Sequence, residues 1–141
     1  MRQEQNPPAF TFPVRVFFED TDAGGVVYYA NYLKFLERCR SEWLRTLGYD
    51  QTALMRDASI AFVVRSVNVD YLKPARLDDL LTICLDVERI TRSQIFFRQH
   101  IRQPDGEIIL TAQVQIVCVN SALMKIVSIP APLRTQLEAI Q

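Results

Sequence analysis

The apolar positions of this chain form one long helical stripe. From about residue 29 to residue 47, apolar side chains recur every three or four positions, the spacing that places them on one helix face. The stripe consists of Tyr32, Leu36, Cys39, Trp43 and Leu47, with Leu33 and Leu44 at its margin. Gly48 follows at once and predicts the C-terminal stop of this helix. Residues 50–55 predict a shorter second helix.

Strand-like segments lie on both sides of this helix in the sequence. Aromatic and β-branched residues predict a first strand over residues 12–18, and four more over residues 60–71, 80–90, 94–102 and 108–119. The alternation is clearest in residues 80–90. There an apolar face of Leu81, Ile83, Leu85 and Val87 interleaves with a polar face of Thr82, Cys84, Asp86 and Glu88. Such alternation is typical of an antiparallel strand with one buried face.

Turn residues link these strands into one fold. Pro104, Asp105 and Gly106 lie between two predicted strands and favour a tight hairpin. A short strand at residues 124–127 and a short helix after Pro132 complete the pattern. One long helix followed by a run of antiparallel strands predicts the α+β class. We expect a single domain over residues 1–141 with a flexible N-terminus, residues 1–10.

Composition narrows the partners and the compartment. Sixteen Lys and Arg balance sixteen Asp and Glu, so no overall charge favours nucleic acid as a partner. Three cysteines at wide spacing suit neither a disulfide framework nor a paired zinc motif, and we therefore expect a cytoplasmic protein. No secretory signal is predicted, and no run approaches the roughly 20 apolar residues of a membrane span.

The loop ahead of the long helix carries the most informative chemistry. Residues 20–25, DTDAGG, place Asp22 among glycines that permit unusual backbone conformations. Unpaired N–H groups at a helix start can stabilise the oxyanion that forms on a substrate carbonyl. A nearby carboxylate could attack the carbonyl carbon or activate a water molecule that attacks it. The segment alone also fits a turn whose aspartates cap the backbone. A calcium loop would need further oxygen ligands that the segment lacks.

A longer stretch around this loop resembles a known family. Residues 18–32, FEDTDAGGVVYYANY, resemble the signature of the 4-hydroxybenzoyl-CoA thioesterase superfamily, and the resemblance continues through residues 62–65 and 71–79. It covers about residues 12–130, and its nearest branch is the YbgC-type acyl-CoA thioesterases associated with the Tol-Pal system. The resemblance implies a hotdog fold, in which an antiparallel sheet wraps the long helix. It also implies a homo-oligomer, dimer or tetramer, with active sites at subunit interfaces.

The resemblance assigns roles by position. Asp22 matches the catalytic aspartate of the family, and the backbone N–H of Tyr29 matches the donor to the thioester carbonyl. Many YbgC-type relatives have histidine at the position of Tyr29, so a histidine-assisted step is not expected here. The residues expected to bind substrate, including the phosphates of coenzyme A, are Gly25, Val64, Arg65, Arg92 and Ser93, with Lys73 and Arg76 as further candidates.

Other reactive or bulky side chains are interpreted as structural. His100, the only histidine, shares a strand face with Arg98 and Arg102 and is interpreted as a residue of the polar surface. No Gly-x-Ser-x-Gly motif is present, which argues against serine chemistry. The residues interpreted as buried are the aromatics Phe35, Trp43, Phe96 and Phe97, which could also line an acyl tunnel, and the three cysteines, Cys39, Cys84 and Cys118.

These observations lead to one main hypothesis. The chain is expected to hydrolyse the thioester of an acyl-CoA, or of an acyl carrier protein, with Asp22 as nucleophile or general base and without a metal or other cofactor. One alternative is a non-catalytic hotdog adaptor near the cell envelope that binds acyl-CoA or a protein. Another is a hotdog dehydratase, which would need a histidine at the reacting carbon.

Overall fold

The computed structural model describes residues 7–140. Of the predicted flexible N-terminus, residues 1–6 lie outside the described residues, whereas Phe10 is the first residue of a strand. That strand, β1, spans Phe10–Arg15. It begins two residues before the predicted segment 12–18 and ends three residues before the end of that segment. It ends early because the carboxylate of Asp20 accepts a hydrogen bond from the N–H of Phe17 at 2.8 Å, and the chain enters a 3-10 turn, Phe18–Asp20.

Within residues 7–140, five strands and one short strand form one antiparallel sheet. Besides β1, the strands are β2, Ile60–Tyr71; β3, Leu80–Ile90; β4, Gln94–Arg102; β5, Ile108–Asn120; and the short β6, Lys125–Ile126. Their order across the sheet is β1-β3-β4-β5-β2, and β6 pairs with β5. The predicted bounds of β2, β3 and β4 are confirmed. The predicted hairpin between β4 and β5 is also confirmed, with Gly106 at a φ of +93° that glycine adopts without strain.

In the described part of the chain, three α-helices accompany the sheet: α1, Tyr32–Thr46; α2, Gln51–Ala58; and α3, Ala131–Ile140. The long helix begins at Tyr32 and not at residue 29, because Tyr29–Asn31 form a 3-10 turn instead. Gly48 ends it as predicted, with a φ of +93° and an N–H that bonds the carbonyl of Arg45 at 2.9 Å. Asp50 then caps α2.

Helix α1 packs its apolar stripe against one face of the sheet, which we call the inner face. Phe35, Trp43 and Phe97 are buried there, as predicted, and the rings of Trp43 and Phe97 meet edge to face at 5.3 Å. Burial of each such side chain stabilises the fold by about 1.5–3 kcal/mol. Phe96 departs from the prediction, because it lies on the outer face with Arg89 stacked on its ring. A sheet wrapped around one long helix is the hotdog fold, which confirms the expected α+β architecture.

The opposite, outer face carries most of the polar positions of the strands, together with apolar side chains such as Phe96 and Val117. Cys84 lies among the outer residues of β3, where its cross-strand neighbours are Thr11 and His100. The alternation therefore predicts a surface position for it, yet Cys84 is fully buried. All three cysteines are buried and unpaired with each other, so the interpretation of these residues as small buried side chains is confirmed. Burial raises the pKa of the Cys39 thiol to about 12.

The β2 edge of the sheet is exposed and apolar. Within residues 7–140, β2 pairs with β5 on one side and with no strand on the other. Val64, Val67 and Tyr71 of β2 stand opposite buried core residues of β5, yet they are 50, 39 and 46% exposed. A long unpaired edge with exposed apolar side chains is typical of a strand that pairs with another chain.

Candidate active site

Residues 21–27 form a closed turn, which we call the carboxylate loop. Thr21 and Val27 form a β-bridge at its neck, and inside it the N–H of Asp22 donates to the carbonyl of Val26 at 2.9 Å. The N–H of Gly25 donates back to the carbonyl of Asp22 at 3.0 Å. Gly25 has a φ of +79°, a left-handed conformation that a side chain would strain. Its role is therefore to shape the loop, and its predicted substrate contact stays a prediction.

The carboxylate of Asp22 is exposed and only partly engaged. Its Oδ1 accepts a hydrogen bond from the N–H of Gly24 at 2.8 Å, which fixes the orientation of the side chain. Within the described part of the chain, no hydrogen bond to its second oxygen occurs. This carboxylate is the turn-capping aspartate of the alternative interpretation and, at the same time, an acid with an oxygen available to a ligand.

The helix start beside the loop has an unpartnered amide. The N–H of Tyr28 donates to the carbonyl of Asp20 at 3.0 Å, and the N–H of Asn31 donates to the carbonyl of Tyr28 at 2.8 Å. Between them, the N–H of Tyr29 bonds to no acceptor among residues 7–140. First-turn amides are the orphan donors of a helix, and they are available to a substrate oxygen.

A buried acid holds the loop against the helix start. The Asp20 side chain is only 7% exposed, and its Oδ1 accepts a hydrogen bond from Nδ2 of Asn31 at 2.9 Å. Its Oδ2 accepts the Phe17 N–H already described, so both oxygens are satisfied. Sequence reasoning missed both Asp20 and Asn31 as positioning residues. The available signal was a second acid two positions before Asp22 and an amide at the first turn of the helix.

Replacement of Asn31 should therefore loosen the site. In Asn31→Ala the buried carboxylate of Asp20 loses one of its two side-chain partners, and the free energy of unfolding should fall by about 1–3 kcal/mol. Urea denaturation measures this loss. Thr135→Ala, which removes an exposed hydroxyl on α3, is the control and should change stability far less. Equal stability of the two variants would contradict the bracing role.

Three tyrosines surround the helix start. The rings of Tyr28 and Tyr29 lie 4.9 Å apart, and the hydroxyl of Tyr71 donates to the carbonyl of Tyr29 at 2.9 Å. A hydrogen bond with the Tyr29 side chain raises the pKa of Tyr28, and burial raises the pKa of Tyr71. Both hydroxyls therefore stay protonated at neutral pH. They serve as hydrogen-bonding groups and not as bases.

The other predicted substrate residues lie at the far end of the sheet. The carboxylate loop bonds to Ala75 and bridges Arg76, in the connection between β2 and β3, which we call the loop end. Ser93 and Arg92 occupy the β3–β4 turn at the opposite end, which we call the turn end. Val64 and Arg65 lie in β2 on its turn-end side, with Arg65 at a bulge. One protomer therefore does not bring Asp22 together with these residues.

The candidate cations differ in their engagement. Nη1 of Arg92 donates to Oγ of Ser128 at 2.8 Å, which ties its side chain to the turn end. Lys73 forms an ion pair with Glu107. Arg76 is the arginine adjacent to the carboxylate loop, through its backbone bridge with Val26. These contacts leave the predicted phosphate-binding roles as predictions.

A cavity opens between α1 and the inner face near the β2 edge. We call it the α1–β2 pocket, and its volume is about 140 Å³. Its apolar wall includes Trp43, Leu44, Phe62, Val64, Phe97 and Ile116. Two of the predicted aromatic residues, Trp43 and Phe97, thus belong to the core and line a cavity at once. Its polar lining residues are Glu37, Arg40 and Gln51.

The only histidine of the sequence lies away from the α1–β2 pocket. His100 lies on the outer face of β4, half-buried, and burial together with Arg102 lowers its pKa. It is thus remote from the inner-face pocket, which removes the base that a dehydratase would need. Among residues 7–140, no three His, Cys, Asp or Glu side chains cluster as metal ligands would. In the same part of the chain, no helix combines the length and apolarity required to cross a bilayer.

Comparison with known proteins decides the family. The family model of the thioesterase superfamily matches residues 24–110. The acyl-CoA thioesterase YbgC of Haemophilus influenzae is 45% identical over 121 residues, which cover 86% of this chain and 88% of that protein. The chain belongs to the thioesterase superfamily. The acyl-CoA thioester hydrolase YbgC of Escherichia coli is 44% identical over 125 residues, covering 89% of this chain and 92% of that protein.

Solved structures of similar proteins agree with the fold. A probable thioesterase from Bartonella henselae has a TM-score of 0.82 at 38% identity, covering 86% of this chain and 100% of that chain. A hypothetical protein from Aquifex aeolicus has a TM-score of 0.81 at 31% identity, covering 94% of this chain and 99% of that chain. The expected YbgC-type resemblance, the hotdog fold and the enzyme class, thioester hydrolase, are confirmed. The matched residues 24–110 include Tyr29 and exclude Asp22.

Proposed function

We propose that this superfamily member hydrolyses acyl-CoA thioesters with Asp22 as its catalytic carboxylate. One observation carries the proposal: the carboxylate loop joins an acid with a free oxygen to a helix start whose Tyr29 N–H has no acceptor among the described residues. The names of the YbgC relatives, acyl-CoA thioesterase and acyl-CoA thioester hydrolase, support coenzyme A as the carrier of the acyl group.

The Tyr29 amide supplies the electrostatic part of the reaction. A thioester carbonyl gains negative charge on its oxygen as its carbon becomes tetrahedral, and a fixed N–H at a helix start stabilises that charge. The donor belongs to the backbone, so tyrosine in place of the histidine of many relatives leaves it intact. The hydrogen bonds of Tyr28, Asn31 and Tyr71 hold the turn that presents it.

Asp22 supplies the covalent or the proton-transfer part. As a nucleophile, its free oxygen attacks the carbonyl carbon, the C–S bond breaks with its electrons on sulfur, and water then hydrolyses the mixed anhydride. As a general base, it takes a proton from water whose oxygen attacks the carbon, and that proton passes to the departing thiolate. Both routes end in a carboxylic acid and free coenzyme A.

The complete site is proposed to form between two copies of the chain. The free edge of β2 can pair with the same edge of a second copy, antiparallel about a two-fold axis, which would cover Val64, Val67 and Tyr71. Antiparallel pairing places the loop end of one copy beside the turn end of the other. Asp22 of one protomer would then meet the α1–β2 pocket and Arg65 of its partner.

The same dimer is proposed to bind coenzyme A at the turn end of the sheet. Its phosphates need cations or backbone donors, and Arg92 and Ser93 of the turn end are the proposed contacts, with Arg65 closer to the two-fold axis. A tetramer would join two such dimers. The single domain is proposed to act in the cytoplasm, where its three free buried cysteines stay reduced. An acyl carrier protein is a second proposed carrier of the thioester. A role linked to the Tol-Pal system is proposed from the resemblance to the YbgC-type family.

A thiol-release screen tests the activity. Short, long and aromatic acyl-CoAs are incubated with the protein, and free coenzyme A is measured with a thiol reagent. Release from at least one substrate, lost on replacement of Asp22, is the expected result. Calorimetric binding of acyl-CoAs with no release from any of them would support the non-catalytic adaptor and overturn the proposal.

A further inference from the structure

The α1–β2 pocket contains a cation that its surroundings only partly satisfy. Arg40 lies on the flank of α1 and lines the pocket, and its burial lowers the pKa of the guanidinium, which nevertheless stays cationic at neutral pH. Nη1 donates to Oε1 of Gln99 at 3.0 Å. That partner is a neutral amide. Among the described residues, no carboxylate forms an ion pair with Arg40.

Gln99 fixes the direction of this cation. It is fully buried on the inner face of β4, and its Nε2 donates to the carbonyl of Leu36 at 3.1 Å. The amide is therefore oriented with its oxygen towards Arg40, and the guanidinium is held at one place on the pocket wall. A buried polar group with both its functions bonded is a rigid support.

A guanidinium has five N–H donors, and Gln99 engages one of its nitrogens. Arg40 is half-buried, and taking a cation even partly out of water is costly unless acceptors surround it. The rest of the wall is largely apolar. Glu37, one helical turn away on α1, is an acid that partly offsets the effect of burial on the pKa of Arg40. It is exposed, and its Oε2 accepts the hydroxyl of Ser41 at 2.5 Å. The guanidinium of Arg40 can therefore donate further hydrogen bonds to an acceptor on a ligand bound in the pocket.

We propose that Arg40, held by Gln99, binds the far end of the acyl group and selects acyl-CoAs whose acyl chain ends in a carboxylate. The planar guanidinium matches a carboxylate with two parallel hydrogen bonds, the strongest pairing open to it. The apolar wall of Trp43, Phe62 and Phe97 contacts the methylene chain in between. This specificity rests on the proposed function, since it needs a dimer in which the thioester lies at the carboxylate loop of one copy, beside the α1–β2 pocket of the other.

The test compares matched substrates that differ only at the far end of the acyl chain. The pairs are hexanoyl- and adipoyl-CoA, octanoyl- and suberyl-CoA, and decanoyl- and sebacyl-CoA. The readout is the ratio of kcat/KM for the carboxylated substrate to that for its plain partner. We expect a ratio above one for at least one pair. In Arg40→Met that ratio should fall about tenfold or more, the effect of losing a hydrogen bond to a charged group.

Three further variants sharpen the result. Arg38→Met makes the same change two residues away, at an exposed arginine outside the pocket, and should leave the ratio unchanged. Arg40→Lys keeps the charge without the planar fork and should retain part of the preference. Glu37→Gln removes the acid whose charge acts on Arg40 and should raise the ratio.

Two outcomes would overturn this specificity. One is a ratio below one for all three pairs. The other is a ratio that Arg40→Met and Arg40→Lys leave unchanged while sedimentation shows a weaker dimer, which would assign Arg40 to the subunit interface. In both, release that still depends on Asp22 leaves the thioesterase proposal standing. Absence of Asp22-dependent release from every substrate would instead refute the proposed function itself.

Discussion

Asp22→Asn should lower thioester turnover by a factor of about 10²–10⁴ or more while the fold persists, because a general base contributes that much and a nucleophile at least as much. The amide of asparagine keeps an oxygen for the Gly24 N–H, so the carboxylate loop should retain its shape. Only the acid is lost. Turnover is measured with the best substrate of the screen, and the fold is checked by circular dichroism and urea denaturation.

The hairpin between β4 and β5 offers a matched control. Asp105 accepts the N–H of Glu107, two residues on, at 2.8 Å, just as Asp22 accepts the N–H of Gly24 at the same distance. Asp105→Asn therefore makes the same chemical change in the same kind of turn, and its turnover should equal that of the wild type. Near-normal turnover of Asp22→Asn on a verified substrate would remove Asp22 from the mechanism and leave it as a turn residue.

Val67→Asp should separate the proposed dimer and reduce turnover with it. Val67 is 39% exposed in the single chain, so the folded protomer can keep the aspartate in water. Pairing of two β2 edges would bury one carboxylate from each copy close to the two-fold axis, where like charges repel and desolvation is unfavourable. We expect mainly monomers in sedimentation experiments, and turnover per protomer should fall at least tenfold, by about 1.4 kcal/mol or more of transition-state stabilisation.

A second apolar surface residue controls for added charge alone. Leu123 is 67% exposed, in the connection between β5 and β6, and Leu123→Asp should keep both the oligomer and the turnover. For the wild type, turnover per protomer should fall on dilution below the dimer dissociation constant. A fully active monomer of Val67→Asp would show that one chain suffices, and the site between copies would then be wrong.

The elements of the fold were readable because their signals are local. The apolar stripe of α1 repeats every three or four residues, and β3 alternates with a period of two. Aromatic and β-branched residues mark β2 and β4, so the bounds of these three strands followed from the sequence. Predictions failed where a tertiary contact overrode the pattern. The carboxylate of Asp20 ends β1 early, and the 3-10 turn at Tyr29–Asn31 delays α1. Neither contact has a periodic signature.

The candidate site divides in the same way. Asp22 and Tyr29 are close in sequence, so a motif of consecutive residues was enough to predict a role for both of them. The side chains of Asp20 and Asn31, eleven positions apart, are joined by a hydrogen bond that only the folded loop reveals. Arg40 and Gln99 are 59 positions apart, and only the packing of α1 against β4 brings them together. A pair of polar residues far apart in the chain carries no pattern that distinguishes it from two separate surface residues.

The sequence by itself determined the helix, the order of the strands along the chain and the acid of the loop, because each depends on the spacing of neighbouring residues. The tertiary structure decided what those elements present to a substrate. It left the N–H of Tyr29 without an acceptor among the described residues. It also put Asp22 and the predicted substrate residues of β2 and the β3–β4 turn at opposite ends of one sheet, and it exposed the β2 edge that can reunite them. These are properties of packing, since they depend on which surfaces the folded chain covers and which it leaves open.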